Sequence, residues 1–253
     1  MTLFFACGMA SAQFGEHLLH AAASGCTAEA GYAGRGELAG IVVPALLTTG
    51  YTVVSLKSPA LRQLDNRLKI RLHERGYITR YKLDDYLQFS PAAAAFGMKA
   101  AGVKSTHRLR DMIILYSLSQ LLETGVVHAL KNVTSRPRPD GSANNSFPSG
   151  HTATAFVAAE FLRREYAGHS VWTGVGGYVM ASLVGVSRIL NNRHWASDVI
   201  AGAGVGVVSV KTVYWAYPLL QGAFCKRDTK RLQSFVYPSY IDGAFCLNFS
   251  CMF

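Results

Sequence analysis

KNVTSRPRP at Lys131–Pro139, PSGH at Pro148–His151 and SRILNNRHWASD at Ser187–Asp198 are three polar clusters set between apolar runs. Together they supply fixed positive charge at Lys131, Arg138 and Arg188, a hydroxyl at Ser149, a backbone amide at Gly150, imidazoles at His151 and His194, and the carboxylate of Asp198. That inventory suits holding a tetrahedral oxyanion such as phosphate and attacking it. His194 and Asp198 stand four apart, so on a helix they share a face and touch. A carboxylate that accepts from one imidazole nitrogen fixes the tautomer and makes the other nitrogen the better nucleophile. Ser149, Gly150 and His151 precede the apolar run 152–162. They are expected to open a helix, where free amides and the helix dipole favour an anion. Lys131, Arg138 and Arg188 would surround the remaining oxygens, the arginines in bidentate fashion.

Outward from the clusters the chain reads as helices. Residues 38–56 form an uncharged apolar run long enough to cross a bilayer, and membrane helices tolerate a proline such as Pro44. Further apolar segments fall at 86–102, interrupted by Pro91 and Lys99, and at 111–130, 151–162, 171–190 and 197–221. The Gly- and Ala-rich start of the last one lets helices approach closely. The expectation is all-α: six helices in a membrane bundle spanning 37–221. Odd-to-even connections in an up-down bundle share one side, so the three clusters converge there. Between the first two runs, 57–85 mixes Arg62, Arg67, Lys69 and Arg71 with Leu64, Leu68 and Ile70, an amphipathic basic segment expected at the membrane interface.

Composition agrees. Half of the 253 residues are hydrophobic, only 16% are charged, and the net charge is +10. A basic chain meets nucleic acid, anionic lipid or a phosphorylated substrate. No aromatic-basic nucleic-acid motif is present, so the apolar runs direct the reading to lipid and away from nucleic acid. The five cysteines, Cys7, Cys26, Cys225, Cys246 and Cys251, form neither a CxxC pair nor a Cys/His ligand set. They read as unpaired thiols, with Cys246–Cys251 as the alternative pairing in an oxidising compartment. Once the clustered residues are used, no metal or cofactor site remains. Residues 1–12 resemble the end of a truncated signal peptide, 13–36 a linker. The tail, 222–253, ends in a stretch of period-two alternation that a strand would show.

The clusters resemble the type-2 phosphatidic acid phosphatase family, within the acid phosphatase and vanadium haloperoxidase superfamily. Its pattern is Lys, six residues, Arg-Pro; then Pro-Ser-Gly-His; then Ser-Arg, five residues, His, three residues, Asp. Lys131 with Arg138-Pro139, Pro148 to His151, and Ser187-Arg188 with His194 and Asp198 fill it without departure. A lone histidine on an apolar face is usually a satisfied core residue, and each cluster alone is a weak hit. Three in order with correct spacing are specific. The resemblance implies a bacterial membrane lipid phosphatase of the inner membrane, with its site on the periplasmic face. It implies catalytic His194, His151 and Asp198, phosphate binding by Lys131, Arg138, Ser149, Gly150 and Arg188, and a phosphohistidine intermediate formed without metal. The expected partners are membrane lipid and a phosphorylated lipid: a lipid A phosphate, undecaprenyl diphosphate, phosphatidylglycerol phosphate or phosphatidic acid. Alternatives are a non-catalytic phospholipid-binding or transport protein, or a soluble periplasmic acid phosphatase.

Overall fold

The computed structural model of the chain describes residues 35–74, 83–228, 233–241 and 244–252. Residues 1–34, with the expected leader and most of the linker, lie outside them. Eight helices are described: α1 (Arg35–Lys57), α2 (Pro59–Glu74), α3 (Leu83–Leu87), α4 (Ser90–Ala100), α5 (Leu109–Thr134), α6 (Gly150–Glu165), α7 (Val171–Leu190) and α8 (Ala196–Asp228). They correct the expected six. The added pair, α2 and α3, comes from the basic segment. The chain divides into two compact units, and Ala33–Trp215 contains the whole of α1 to α7. The other unit includes residues 216–253. There β1 (Gln233–Ile241) pairs antiparallel with β2 (Ala244–Met252), so the all-α expectation holds for the helical unit alone. Five residues along β2 separate Cys246 from Cys251 by about 16 Å at ~3.3 Å per residue, which rules out a bridge between them.

Among the described residues, four helices are long and apolar enough to cross a bilayer: α1 over Gly40–Lys57, α5, α7, and α8 over Ala196–Leu219. This marks a multi-pass membrane protein. α6 is not among them. Its 16 residues rise about 24 Å, and its last turns carry Glu160, Arg163, Arg164 and Glu165. It need not be apolar, because protein surrounds it: α4, α5 and α7 all pack on it, and Ala155, Val157, Ala158, Ala159 and Phe161 are fully buried. Its charges are paired as buried charges must be. Glu160 accepts from Arg163, Arg164 and the Tyr178 hydroxyl; Glu165 binds His107 and accepts from Tyr214. α4 starts with Pro91 in its first turn, where the missing N–H costs nothing.

Small residues set the close approaches. A Cβ on Gly202 of α8 would lie 2.5 Å from the Ser149 carbonyl oxygen, and one on Gly204 would lie 2.5 Å from Thr48 Oγ1 of α1. Gly206 meets the backbone of Ala153 as closely. α8 thus presses its glycines onto the start of α6. At the end of α5, Ser135 adopts a left-handed conformation (φ 43°) and donates its N–H to Lys131 O at 3.1 Å. Pro137 and Pro139 follow, and the chain leaves the helix with Lys131 in its last turn.

Gly202→Ala is therefore expected to destabilise by about 1–3 kcal/mol, because the obstructing atom is backbone and cannot rotate away. Gly125→Ala, where nothing lies within 4 Å, is expected to be neutral or slightly stabilising. Thermal unfolding of both variants in detergent checks this.

Candidate active site

The ends of α5 and α7 and the starts of α6 and α8 gather at one end of the bundle. Asp198, fully buried in the first turn of α8, ties them together. Its Oδ1 accepts from Arg136 Nη1 at 2.6 Å. Its Oδ2 accepts from the Ser146 hydroxyl and from Trp195 N–H at 3.1 Å. The second of these closes half of a capping box on α8. Its backbone carbonyl accepts from Ser149 N–H at 3.1 Å, fixing the entry to α6.

His194 lies just before α8 and is 3% exposed. Its Nδ1 is 2.8 Å from the carbonyl oxygen of Ser146. A carbonyl only accepts, so Nδ1 carries the proton and Nε2 keeps its lone pair. The expected direct bond to Asp198 is not formed: Oδ2 stands 3.8 Å from Nδ1. The Nδ1 proton goes instead to the nearer Ser146 carbonyl, while Asp198 is held by Arg136, Ser146 and Trp195. The carboxylate acts on the ring through space and one step back, through Ser146. Burial pushes His194 below the ordinary histidine range, with Asp198 pulling the other way. The ring is therefore neutral at physiological pH.

Around it lie the basic groups. Lys131 Nζ comes to 3.7 Å from where a Cβ on Gly150 would sit. Lys131 feels the charges of Arg138 and Arg188, and Arg188 acts on both His151 and His194. The Nε atoms of Arg138 and Arg188 are buried and have no hydrogen-bond partner among the described residues. Such orphaned donors are costly and call for an acceptor. Gly150 opens α6, so its amide faces the same anion-favouring helix end. Ser149 is placed differently: its fully buried hydroxyl lies 2.9 Å from Thr152 Oγ1. His151 Nε2 lies 2.8 Å from Asp85 Oδ1. Burial first, then the charge of Arg188, lowers its proton affinity, while Asp85 and Asp84 oppose them.

Five residues around this site were not reached by sequence reasoning. Asp84 of α3 accepts from Arg188 Nη1 at 2.6 Å, and Asp85 pairs with His151. For Asp84, burial would raise the carboxyl, but the hydrogen bond and charge of Arg188 outweigh it and hold it below the ordinary range. Asp65 of α2 accepts from Arg136 Nη2 at 2.9 Å and from the Ser197 hydroxyl at 2.6 Å. With Ser146 and Arg136 these complete the set. Arg136 lies inside the first cluster, yet its spacing gives it no role there. α2 docks here rather than lying free: Lys69 donates to Pro139 O at 2.6 Å and sits 5.5 Å from the centre of the Trp195 ring, which Arg136 also faces.

Arg136 bridges two buried carboxylates, Asp65 and Asp198. Arg136→Ala is expected to cost about 3–5 kcal/mol by leaving both uncompensated. Arg136→Lys is expected to recover less than half, since one ammonium cannot reproduce the fork. Chemical or thermal denaturation in detergent reads both.

Among known proteins, the PAP2 superfamily pattern matches residues 112–221. The chain is 44% identical over 140 residues to "Lipid A 1-phosphatase" of Porphyromonas gingivalis, covering 55% of this chain and 32% of that one. It is 40% identical over 77 residues to "Bacitracin transport permease protein BcrC" of Bacillus licheniformis, covering 30% and 36%. The chain thus spans about a third of the length of these curated relatives. A solved transmembrane PAP2-type phosphatidylglycerolphosphate phosphatase from Bacillus subtilis aligns with a TM-score of 0.48 at 21% identity, covering 76% of this chain and 98% of that one. The matched segment, Met112–Gln221, contains all three polar clusters.

Proposed function

We propose that the protein is a membrane lipid phosphatase that works through a phosphohistidine. The observation that carries this reading is the pair of buried, partnerless guanidinium Nε atoms at Arg138 and Arg188, beside a histidine whose Nε2 lone pair is unengaged among the described residues. The phosphate oxygens take those donors together with Lys131 and the Gly150 amide. His194 Nε2 attacks phosphorus in line, a P–N bond forms and the P–O bond to the lipid breaks. His151 gives its proton to the departing alkoxide. It then takes a proton from water, whose oxygen attacks phosphorus, releasing inorganic phosphate and restoring His194. Asp198 stabilises the positive charge that His194 gains on phosphorylation. Ser149 holds the turn at the start of α6 through Thr152 and Asp198, and its hydroxyl donates to the anion while accepting from Thr152.

The substrate is a phosphate-headed amphiphile. A lipid A phosphate comes first, since the relative at 44% identity bears that name. Undecaprenyl diphosphate, phosphatidylglycerol phosphate and phosphatidic acid share the headgroup chemistry. In this reading the site opens on the periplasmic face of the inner membrane. No step requires a metal or other cofactor.

Free phosphate released from a panel of these lipids tests the reading, and absence of turnover on every member would sink it. His194→Ala is expected to lower kcat/KM by about 10³-fold or more. Full activity is expected in excess chelator. The nucleophile must be unprotonated and the acid protonated, and both histidines are held below their ordinary range. Both limbs of the kcat/KM profile therefore move to lower pH, and the optimum is expected on the acid side of neutrality. An optimum above pH 8 would contradict that assignment.

A further inference from the structure

We propose that Asp85, on the short helix α3, is the positioning carboxylate of the general acid His151, so that each histidine of the site works against its own anion. This rests on the phosphatase reading above and adds a residue that lies outside the three clusters. The geometry is specific. Asp85 Oδ1 is 2.8 Å from His151 Nε2, and its neighbour Asp84 is locked to Arg188 Nη1 at 2.6 Å. Asp84 is 2% exposed, so α3 is anchored through a buried pair and Asp85 is carried into place beside the histidine. Arg188 Nη1 stands 3.9 Å from Asp85 Oδ1, too far for a hydrogen bond.

The chemistry needs such a group. An alkoxide is a poor leaving group and must be protonated as it departs. His151 sits at the start of α6, beside Arg188 of α7 and near Lys131 of α5, all of which oppose a charged imidazolium. A carboxylate accepting from Nε2–H offsets them, fixes the ring and leaves Nδ1–H as the donor to the leaving oxygen. Asp85 does not touch the reacting atoms; it acts through His151.

The test uses leaving groups. Phosphate release by the full chain in detergent is compared for a long-chain alkyl phosphate and for a nitrophenyl phosphate carrying the same chain, whose phenolate departs without a proton. Asp85→Asn is expected to lower kcat/KM for the alkyl ester by about 10²-fold and for the aryl ester by less than about threefold. In a His151→Ala background it is expected to cost nothing further. Equal loss on both esters, no loss, a gain in rate, or an additive loss in the double variant would each overturn the proposal. If Asp85→Asn does not fold, Asp85→Ser and the double-variant comparison carry the same test. Wild-type protein that releases no phosphate from either ester, or His194→Ala that keeps full activity, would instead overturn the phosphatase reading beneath it.

Discussion

The buried carboxylate of Asp198 is the constraint on which the site depends. It is fully excluded from solvent, so its charge must be met by donors from the protein. Those donors come from separate places: Arg136 and Ser146 from the loop after α5, Trp195 from the turn before α8. The backbone carbonyl of the same residue holds Ser149 at the start of α6. One residue therefore sets the register of all three polar clusters. Ser146 has two parts in this. Its hydroxyl binds the carboxylate while its carbonyl fixes the tautomer of His194. Arg136 then links the node to Asp65, so α2 is fastened to the site by charge.

Much of this was legible in the sequence. The apolar runs mark α1, α5, α7 and α8 because a bilayer-length helix leaves a composition signal that needs no partner. The three clusters fall at helix ends, since polar residues interrupt an apolar pattern only where the chain turns. α6 was harder. It is too short and too charged to read as a span, and only the packing of α4, α5 and α7 around it makes that tolerable. The Gly-rich start of α8 was readable as a close-packing surface, but its partners were not. Glycine spacing says that something approaches, not that it is the Ser149 carbonyl or Thr48.

Sequence pattern brought the cluster residues to one end of the bundle but misread one bond. Four-residue spacing places His194 and Asp198 on one side of a turn, but His194 precedes α8 and its ring binds the nearer carbonyl of Ser146 instead. Spacing fixes Cα positions; it does not say which acceptor a ring reaches first. Asp65, Asp84 and Asp85 were invisible for a different reason. Each acts on a partner more than sixty positions away, and local pattern carries no such information. The available cue was charge. These are acidic residues within a segment dominated by Lys and Arg, where a solvated basic face has no use for them. Asp65 and Asp84 are buried against arginines, and the half-exposed Asp85 meets His151.

Charge also separates an amphiphile from a soluble ester as substrate of the proposed reaction. The cations at Lys131, Arg138 and Arg188 sit at the end of helices whose outer faces are apolar. On α7, Val175, Val179, Leu183 and Val186 are each at least 43% exposed and line a groove of about 550 Å³. They lie at intervals of four, four and three, so they form one stripe, and Arg188 follows Val186 by two residues. The stripe marks the outward side of α7, whereas Arg188 is turned from it and buried in the bundle. For the proposed reaction, the polar end of the bundle would take the phosphate headgroup of a lipid and the apolar sides would leave its chain in hydrocarbon.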